Sequence, residues 1–366
     1  MLTFHALKVV EIHPEAEDAV GIAFDVPPEL RDAYRGLPGQ HVVVKTDIDD
    51  VENRRTYSLV NPPGEWPLRI VARVHAVGHM SRYLADQLNT GDFLDVLPPN
   101  GSFTPRRVDA DGTYVAFASG CGITPVLAVA RALLEANGTN RVILFYGNAS
   151  TGRAMCLEEL LGLKDRFLGR LSLHFVMSRE PQEVELYNGR IDAERVKEFA
   201  RTLFTPGEVT EYFVCGPGNM IDEVSGALRT LSVEADRIHG EHFTLATTAG
   251  AAAEGEVSAA GDAGAAKAAG AADESEVTIL MDGRRRTFTM RMNDEVVLDA
   301  AMRCGLELPF SCRAGVCSTC RTKVVRGEVE MAQNYALEDW EVEQGYVLAC
   351  QSRVKTPALE LDYDEK

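Results

Sequence analysis

Four cysteines near the C-terminal end limit what this chain can fold into more than any other feature of the sequence. Three of them, Cys312, Cys317 and Cys320, share one short loop with the spacing C-x4-C-x2-C. The fourth, Cys350, follows after a long gap and ends the segment Val-Leu-Ala-Cys, which predicts a strand that returns to the loop. This spacing is typical of four thiolates that hold a [2Fe–2S] cluster. We therefore expect these four residues to be metal ligands.

Two other roles for the cysteines fit the sequence less well. A disulfide framework needs an oxidising compartment and usually a small scaffold, but this chain is long and begins without the basic and apolar regions of a signal peptide. A structural zinc site often pairs two C-x2-C knuckles, whereas here one knuckle is extended and the fourth cysteine stands alone. Small residues in the loop, Gly315, Ser318 and Thr319, would also let backbone N–H groups approach inorganic sulfides.

The overall composition limits the partners. The chain has 366 residues, which favours about two or three domains. Its formal net charge of -18 argues against nucleic acid as a partner, because phosphate backbones are bound by concentrated positive patches. No apolar stretch approaches the ~20 residues of a membrane span. We expect a soluble, cytoplasmic protein with no membrane partner.

Four segments follow one another along the chain. Residues 1–105 alternate apolar and polar positions between turn residues, as expected for an antiparallel β-barrel. In residues 106–245 strands alternate with helices, which predicts a doubly wound parallel sheet. Residues 246–275 are mostly Ala, Gly and small polar residues, which predicts a mobile linker. Residues 276–366 combine a predicted hairpin, a helix over Val297–Arg303 and the cysteine loop, an order that fits a small α+β domain of the β-grasp type.

Two segments of the predicted barrel carry groups that could bind a flavin nucleotide. Arg55 can pair with a pyrophosphate, Tyr57 can cover an aromatic ring, and Ser58 can hydrogen-bond a ring nitrogen. Near Ser81 a helix begins, and free N–H groups at such a terminus favour an anion. An ordinary strand with an exposed arginine, and a plain N-cap at Ser81, remain open as alternatives. The candidate residues are Arg55, Thr56, Tyr57 and Ser58 on the strand and Gly78, His79, Met80 and Ser81 at the helix.

Two glycine-containing turns of the predicted parallel sheet are candidates for binding a dinucleotide. The run Gly120-Cys121-Gly122-Ile123-Thr124-Pro125 follows the first strand and opens a helix, so its N–H groups can face a pyrophosphate. The run Cys215-Gly216-Pro217-Gly218 ends a later strand and opens another helix. Because the carboxyl ends of parallel strands share one edge, we expect both turns at the same crevice. The candidate residues are Gly120, Gly122, Thr124, Cys215, Gly216 and Pro217.

The end of the third parallel strand bears on the choice between NADPH and NADH. Ser178 and Arg179 lie where the adenosine ribose is expected, and an arginine there accommodates a 2′-phosphate, whereas NAD sites prefer an acidic residue. Tyr187 and Arg190 could add stacking and charge. Glu180 follows Arg179 at once and favours the opposite choice. We expect NADPH, with NADH as the alternative.

Together these segments resemble the ferredoxin-NADP reductase superfamily joined to a plant-type ferredoxin. Residues 55–58, 78–81, 120–125 and 215–217 match its R-x-Y-S, G-x-x-S, G-x-G-x-T-P and C-G-P motifs in the same order. The segment Glu241-His242-Phe243 resembles the end of its reductase module. The resemblance implies that Ser58, Cys215 and Glu241 surround the hydride-transfer centre and that Phe243 covers the flavin.

The same resemblance implies an electron-transfer reductase. Hydride from a reduced nicotinamide would reach a flavin, and single electrons would leave through the 2Fe–2S cluster to an oxygenase. FAD is expected because residues 78–81 supply a pyrophosphate site and the segment Glu241-His242-Phe243 is present. FMN stays open as the alternative, since some related oxygenase reductases use it.

Four segments resemble the reductase subunits of phenylacetyl-CoA 1,2-epoxidases. They are Tyr146-Gly147-Asn148, Asn188-Gly189-Arg190-Ile191-Asp192, Glu241-His242-Phe243 and residues 334–351. This resemblance implies a di-iron oxygenase of phenylacetate breakdown as the partner. A Rieske or steroid oxygenase is an alternative partner, and an iron–sulfur redox sensor without steady turnover or a stand-alone oxidase are alternative functions. The acidic residues Glu338, Asp339, Glu341 and Glu343 could meet a basic oxygenase patch or could form a solvated helix start.

Overall fold

A computed structural model describes residues 3–76, 78–108, 111–242, 274–337 and 339–365 of the protein. The chain folds into two compact units. The first is formed by the residues before position 245, and the second by nearly all of the residues after it. No helix within these ranges is long and apolar enough to cross a membrane.

Six strands of the first unit form an antiparallel sheet that closes into a barrel. The strands are β1 His5–Ala16, β2 Ala19–Asp25, β3 His41–Ile48, β4 Val51–Ser58, β5 Leu68–Arg73 and β6 Phe93–Asn100. Their order is β4-β3-β6-β1-β2-β5, and a bridge between Leu59 and Ile70 joins the two end strands. Two helices accompany the sheet, α1 Arg31–Tyr34 and α2 His79–Asp86. The predicted barrel is therefore confirmed.

The barrel core follows from the alternation of side chains along its strands. In β1, Leu7 and Val9 are buried while Lys8 and Val10 are exposed. Because strand side chains point alternately to the two faces, this pattern fixes which face turns inward. Helix α2 adds Met80 to the same core.

Five parallel strands form the second sheet of the first unit. They are β7 Thr113–Ser119, β8 Arg141–Asn148, β9 Leu171–Met177, β10 Glu211–Gly216 and β11 Ile238–His242. The connecting helices are α3 Ile123–Ala136, α4 Leu157–Arg166, α5 Ala193–Thr202 and α6 Gly218–Thr230. The order β11-β10-β7-β8-β9 confirms the predicted doubly wound sheet. Its winding reverses between β7 and β10, and ligands of such sheets bind in the crevice at that reversal.

The barrel and the parallel sheet share one hydrophobic core. Helix α3 is apolar on nearly all sides, and it packs both on the sheet and on barrel residues such as Val60 and Val71. Phe103, just after β6, meets Phe213 of β10 edge to face at a ring-centroid distance of 5.5 Å. The shared core therefore fixes the position of the barrel relative to the sheet and its ligand-binding crevice.

The second unit combines a five-stranded mixed sheet, a two-stranded sheet and two short helices. Its strands are β12 Glu274–Met281, β13 Arg284–Arg291, β14 Arg321–Arg326, β15 Val329–Met331, β16 Tyr346–Leu348, β17 Ser352–Val354 and β18 Ala358–Asp362, and its helices are α7 Val297–Arg303 and α8 Asp339–Glu343. Five strands pair in the order β13-β12-β18-β14-β16, and β15 pairs with β17. This is the predicted β-grasp fold, and α7 has the bounds expected from the sequence.

Two sequence predictions for the second unit are wrong in detail. The strand expected to contain Cys350 ends at Leu348, because the N–H of Gln351 bonds the carbonyl of Leu348 at 2.9 Å and turns the chain. The predicted linker, residues 246–275, lies outside the described residues except for Glu274 and Ser275, which begin β12.

Candidate functional site

Three residues predicted at the hydride-transfer centre, Ser58, Cys215 and Glu241, are connected through His41. Ser58 is the Cα partner of His41 across β4 and β3. The Nδ1 atom of His41 lies 3.2 Å from Oε1 of Glu241, and Glu241 is the Cα partner of Cys215 across β11 and β10. All four residues are buried. Two strand registers and one hydrogen bond therefore join the barrel and the sheet at one centre. Phe243, which was predicted to cover the flavin, lies outside the described residues.

Several buried polar atoms of this centre lack hydrogen-bond partners among the described residues. They are Oγ of Ser58, Nε2 of His41 and Oε2 of Glu241. A buried polar group left unsatisfied costs about 1–3 kcal/mol. Three such atoms at one centre therefore fit a site that completes its hydrogen bonds with a polar heteroaromatic ring.

Burial and hydrogen bonding set the protonation states here. Burial lowers the pKa of the His41 imidazole, but the hydrogen bond and charge of Glu241 outweigh it, so that pKa is raised above its ordinary value. Burial, reinforced by Glu241 and Cys121, raises the pKa of the Cys215 thiol well above its ordinary value. Cys215 is therefore a neutral thiol at neutral pH, which excludes a role as a thiolate nucleophile.

The end of β4 presents the groups that the sequence predicts for a flavin. Tyr57 packs half-buried against the barrel core, where burial raises the pKa of its hydroxyl. Arg55 is exposed, and its Nη1 donates to the carbonyl of Arg54 at 2.8 Å. Thr56 is half-buried between them. The segment therefore combines a ring-binding edge with an exposed cation, and these residues fit a flavin nucleotide.

Helix α2 begins before Ser81, so Ser81 is not the N-cap that the sequence left open as an alternative. Gly78 is the N-cap, so that alternative is wrong. Ser81 lies in the first turn, where its Oγ accepts from the N–H of His75 at 3.1 Å and donates to the carbonyl of Gly78 at 3.3 Å. The side chain of Met80 is buried in the barrel core, so this residue can offer a ligand only its backbone. His79 is exposed.

The turn after β7 approaches the end of β10, as the sequence predicts. Gly120 has a φ of +55°, in the left-handed region that favours glycine. A Cβ on Gly122 would lie 2.0 Å from the carbonyl oxygen of Cys215, so only glycine fits there. The hydroxyl of Thr124 donates to the carbonyl of Cys121 at 2.9 Å. Because Thr124 is buried, this hydrogen bond is shielded from water and stabilises the conformation of the turn.

A cavity of about 510 Å³ opens at the carboxyl ends of the parallel strands. The sequence-predicted residues in its lining are Gly120, Ser178, Arg179, Arg190 and Pro217. Arg73 and Arg153 also line it, although no sequence motif marks them. Asn148 lines it too, and its Nδ2 is buried without a partner among the described residues. The lining carries four arginines against the two carboxylates of Asp192 and Glu223. The excess positive charge favours an anionic ligand.

Arg73 and Arg153 share a single carboxylate. Asp18 pairs with Arg73 through one oxygen and with Arg153 through the other. Arg73 also donates from Nη2 to the carbonyl of Arg153 at 3.0 Å. Because one carboxylate balances only one guanidinium, this wall of the cavity keeps a net positive charge.

Two residues predicted near the adenosine ribose face elsewhere. The hydroxyl of Tyr187 lies 2.8 Å from Nδ1 of His174, and Tyr187 is not part of the cavity lining. Its predicted stacking on the nucleotide is therefore unsupported. Glu180 accepts hydrogen bonds from the N–H and the hydroxyl of Thr151, each at 2.7 Å, and these bonds lower the pKa of its carboxyl. Glu180 is thus engaged outside the lining that contains Arg179.

The predicted metal ligands lie in the cysteine loop and in the turn after β16. They are Cys317, Cys320 and Cys350, which are buried, and Cys312, which is half-buried. The N–H of Ala349 donates to the carbonyl of Cys320 at 3.1 Å, and Nε2 of Gln351 donates to the carbonyl of Arg313 at 2.8 Å. These bonds fasten the turn to the loop and hold Cys350 within hydrogen-bonding reach of Cys312 and Cys320.

The backbone of the cysteine loop fits a cluster rather than an ordinary turn. Arg313, Gly315 and Ser318 have φ values of 53°, 75° and 47°, and left-handed non-glycine residues are uncommon. Such conformations turn successive N–H groups into a concavity that binds anions, including iron–sulfur clusters. The N–H of Ala314 lies 3.4 Å from Sγ of Cys312. These observations fit a [2Fe–2S] cluster held by the four cysteines.

The spread of the ligands agrees with this fit. A hydrogen bond with Cys312 lowers the pKa of Cys350, but the effects of Cys320 and burial together outweigh it and raise the pKa to about 12. Iron must displace this proton, because only the thiolate ligates a metal. In the described part of the chain, no three His, Cys, Asp or Glu side chains converge on one metal ion. A two-iron cluster shares its four thiolates between two metals and does not require such convergence.

Comparison with known families covers each part of the chain. The family described as "Oxidoreductase FAD-binding domain" matches residues 6–104. The family "Oxidoreductase NAD-binding domain" matches residues 117–226. The family "2Fe-2S iron-sulfur cluster binding domain" matches residues 279–355, which contain all four cysteines.

Relatives match the chain over its whole length. It is 37% identical to one subunit of the 1,2-phenylacetyl-CoA epoxidase from Escherichia coli (strain K12), across 100% of this chain and 99% of that protein. It is 32% identical to the ferredoxin reductase component of 3-ketosteroid-9-alpha-monooxygenase from Rhodococcus rhodochrous, across 98% and 96%. The solved structure of phthalate dioxygenase reductase shares the fold, with a TM-score of 0.57 and 22% identity over 98% of both chains.

The chain therefore belongs to the oxidoreductase family that joins an FAD-binding, an NAD-binding and a 2Fe–2S domain in one polypeptide. The predicted resemblance to the ferredoxin-NADP reductase superfamily joined to a ferredoxin is confirmed.

Proposed function

We propose that this protein takes hydride from NADPH onto FAD and passes single electrons through a [2Fe–2S] cluster to an oxygenase. The observation that carries the proposal is the connection of Ser58, Glu241 and Cys215 at one buried centre, at the end of strands that also border a positively charged cavity. A bound flavin supplies the exchange between the two electrons of a hydride and the single electrons that a 2Fe–2S cluster carries.

The residues of the centre would bind the flavin ring and orient the groups that react. Ser58 would donate the hydrogen bond of its unpartnered hydroxyl to a ring nitrogen of the flavin. His41 holds the Glu241 carboxylate through the 3.2 Å hydrogen bond, and Glu241 would polarise the reacting pair or relay a proton. Cys215, a neutral buried thiol, would shape the place where the nicotinamide ring stacks.

FAD is proposed over FMN because Arg55 and residues 78–81 offer groups to a pyrophosphate, which FMN lacks. Flavin released from the purified protein by denaturation and separated by chromatography should run as FAD. Recovery of FMN would contradict this part of the proposal.

The preference for NADPH is supported by the charge around the cavity. Ser178, Arg179 and Arg190 line it, and an arginine near the ribose suits a 2′-phosphate. The acidic residue that would favour NADH, Glu180, is bonded to Thr151 instead. We therefore expect a higher kcat/KM for NADPH than for NADH in the wild-type protein, and a preference for NADH would contradict the proposal.

A single substitution tests whether the bond to Thr151 matters for this preference. Thr151→Val keeps the side-chain shape but removes the hydroxyl bond, so Glu180 is freer to repel a 2′-phosphate. The NADPH to NADH ratio of kcat/KM should fall by about two- to tenfold, the effect of one hydrogen bond. Thr202→Val is the matched control, because its hydroxyl donates to the backbone carbonyl of Glu198 at 2.9 Å within α5 and does not contact Glu180. An unchanged NADPH to NADH ratio of kcat/KM in Thr151→Val would show that Glu180 does not affect the choice of nucleotide.

The proposed electron acceptor is a di-iron oxygenase of the phenylacetyl-CoA epoxidase type, in the cytoplasm. It is supported by the 37% identity to the epoxidase subunit from Escherichia coli along the whole chain. The second candidate is a steroid oxygenase, favoured by the 32% identity to the 3-ketosteroid-9-alpha-monooxygenase component. Glu341, one of the acidic residues considered for docking, is buried and paired with Arg321 at 2.8 Å, so it does not offer its charge to a partner.

Co-purification from the native host tests the acceptor. A tagged full-length chain should bring down the subunits of a di-iron oxygenase, and NADPH-dependent turnover should require all of them. Recovery of a Rieske or steroid oxygenase would select the second candidate. Slow NADPH-dependent reduction of cytochrome c, with no turnover of any oxygenase, would instead favour a redox sensor.

A further inference from the structure

Tyr363, the residue after β18, carries a buried hydroxyl with no hydrogen-bond partner among the described residues. Its N–H donates to the carbonyl of Leu280 at 2.9 Å, which fixes the backbone beside β12. Leu359 and Leu361, two and four positions earlier, are buried. Because side chains alternate along a strand, the ring of Tyr363 continues their inward face.

That inward face packs on the buried core that contains two of the four predicted cluster ligands. Cys320 and Cys350 belong to the buried core of the second unit, and Tyr363 packs against this core. Cys320 immediately precedes β14, and Lys323 of β14 is the Cα partner of Asp362, the neighbour of Tyr363. A tyrosine hydroxyl keeps its proton at neutral pH, so it is available as a donor.

We propose that the Tyr363 hydroxyl donates a hydrogen bond to cluster sulfur on the side of Cys320 and Cys350 and so raises the reduction potential of the cluster. A buried hydroxyl is rarely left without an acceptor, and the sulfur atoms are the acceptors that this part of the core would gain when loaded. Reduction adds one negative charge to the cluster, and a hydrogen bond to a more negative acceptor is stronger. Hydrogen bonds to the sulfurs are among the factors that set the potential. Tyr363 tunes the cluster without ligating it.

Tyr363→Phe removes the hydroxyl and leaves the ring. In the full-length protein loaded with iron and sulfide, a redox titration followed by electron paramagnetic resonance should give a lower potential for the variant. At the wild-type midpoint, the ratio of reduced to oxidised cluster should fall by roughly tenfold, which equals about 59 mV for one electron. The Fe–S bands of the wild type in resonance Raman spectra should shift on transfer to D2O, and one of these shifts should be missing in Tyr363→Phe.

A matched control and a second variant distinguish an effect of the Tyr363 hydroxyl from a general effect of altering the core. Tyr346→Phe removes another hydroxyl from the same core, where the ring lies 3.6 Å under the guanidinium of Arg321, and its potential should equal that of the wild type. The metal-free Tyr363→Phe protein should unfold at or somewhat above the wild-type temperature, because the lost hydroxyl is buried with no protein partner among the described residues. A 3-fluorotyrosine at position 363, a stronger donor, should raise the potential. An unchanged potential in both position-363 variants, or equal shifts in Tyr363→Phe and Tyr346→Phe, would overturn the proposal.

Discussion

At the scale of single residues, the hydroxyl of Ser58 should lower the stability of the flavin-free protein while it strengthens the binding of the flavin. Its hydroxyl is buried without a partner among the described residues, so Ser58→Ala should raise the free energy of unfolding of the flavin-free protein by about 1 kcal/mol. The same change should weaken FAD binding by about two- to tenfold, because one hydrogen bond to the ring is lost. Urea unfolding of the flavin-free protein and fluorescence titration with FAD measure the two effects.

Another serine provides the contrast for this prediction. Ser352 is also buried, but its hydroxyl donates to the carbonyl of Leu348 at 2.8 Å. Ser352→Ala should therefore lower the free energy of unfolding by about 1 kcal/mol. A loss of stability in flavin-free Ser58→Ala would mean that its hydroxyl has a partner before the flavin binds.

His41 makes the stability of the first unit depend on pH. Its pKa is raised in the folded protein, so the folded state holds the proton more tightly than the unfolded chain does. This stabilisation is complete below the ordinary histidine pKa of 6.5 and is lost as the pH rises through the raised value. The free energy of unfolding of the first unit, measured by urea titration from acid to alkaline pH, should therefore decline over that window in the wild type. The decline should be absent in His41→Gln.

A second histidine supplies the opposite sign. Burial, with help from Lys164, lowers the pKa of His174 in the folded protein. Its contribution to stability is therefore present above pH 6.5 and is lost as the pH falls through the lowered value. His174→Gln should flatten the stability curve on the acid side and leave the decline assigned to His41 in place. The His41 assignment fails if both variants change the same side of the curve.

At the scale of the secondary structure, the sequence predicts elements well where their causes are local. Helix α7 and the strands beside the two glycine turns follow from periodicity, from turn residues and from the restricted space around glycine. The contact of His41 with Glu241 could not be predicted, because it joins residues 200 positions apart and depends on how barrel and sheet pack. The engagement of Glu180 by Thr151 and the pairing of Arg73 with Asp18 have the same origin. Tertiary packing, rather than local pattern, decides which charged groups border the cavity.

The turn after β7 permits an element-scale prediction. A Cβ on Gly122 would overlap the carbonyl oxygen of Cys215, so Gly122→Ala must push the turn away from β10. Overpacking of this kind costs about 1–3 kcal/mol, and if the displaced turn no longer meets the nucleotide, the Kd for NADP+ should rise by about five- to 150-fold, since 1.4 kcal/mol corresponds to a factor of ten. FAD should stay bound, because its candidate residues lie on the barrel. Equilibrium titration with NADP+, which cannot reduce the flavin, measures the first effect, and the visible absorbance of the oxidised flavin in the purified variant measures the second.

Gly138 is the matched control for the turn. A Cβ there would meet no atom within 4 Å, so Gly138→Ala should stay within about 0.5 kcal/mol of the wild type and bind NADPH normally. Normal nucleotide binding by Gly122→Ala would show that the turn can move without affecting the cavity.

At the scale of the whole molecule, the chain divides two kinds of electron transfer between its units. The first unit carries the FAD- and NAD-binding domains, and the 2Fe–2S domain follows after residues 243–273. Joining both kinds of centre in one polypeptide makes the transfer between them intramolecular, so its rate does not depend on protein concentration. The two activities should nevertheless be separable by substitution at the cysteine loop.

Cys317→Ser separates them. A serine hydroxyl is far less acidic than a thiol and is a poorer ligand for iron, so the cluster should be lost, while Ser58, Glu241 and Cys215 remain in place. Reduction of ferricyanide, a small acceptor that can take electrons at the flavin, should continue with NADPH at close to the wild-type rate. Reduction of cytochrome c should fall by more than the roughly 10- to 100-fold that is typical when a metal site loses an outer-shell partner. Cys304→Ser, an exposed cysteine of the same domain, should change neither rate, and retention of cytochrome c reduction by Cys317→Ser would place the electron exit somewhere other than the cluster.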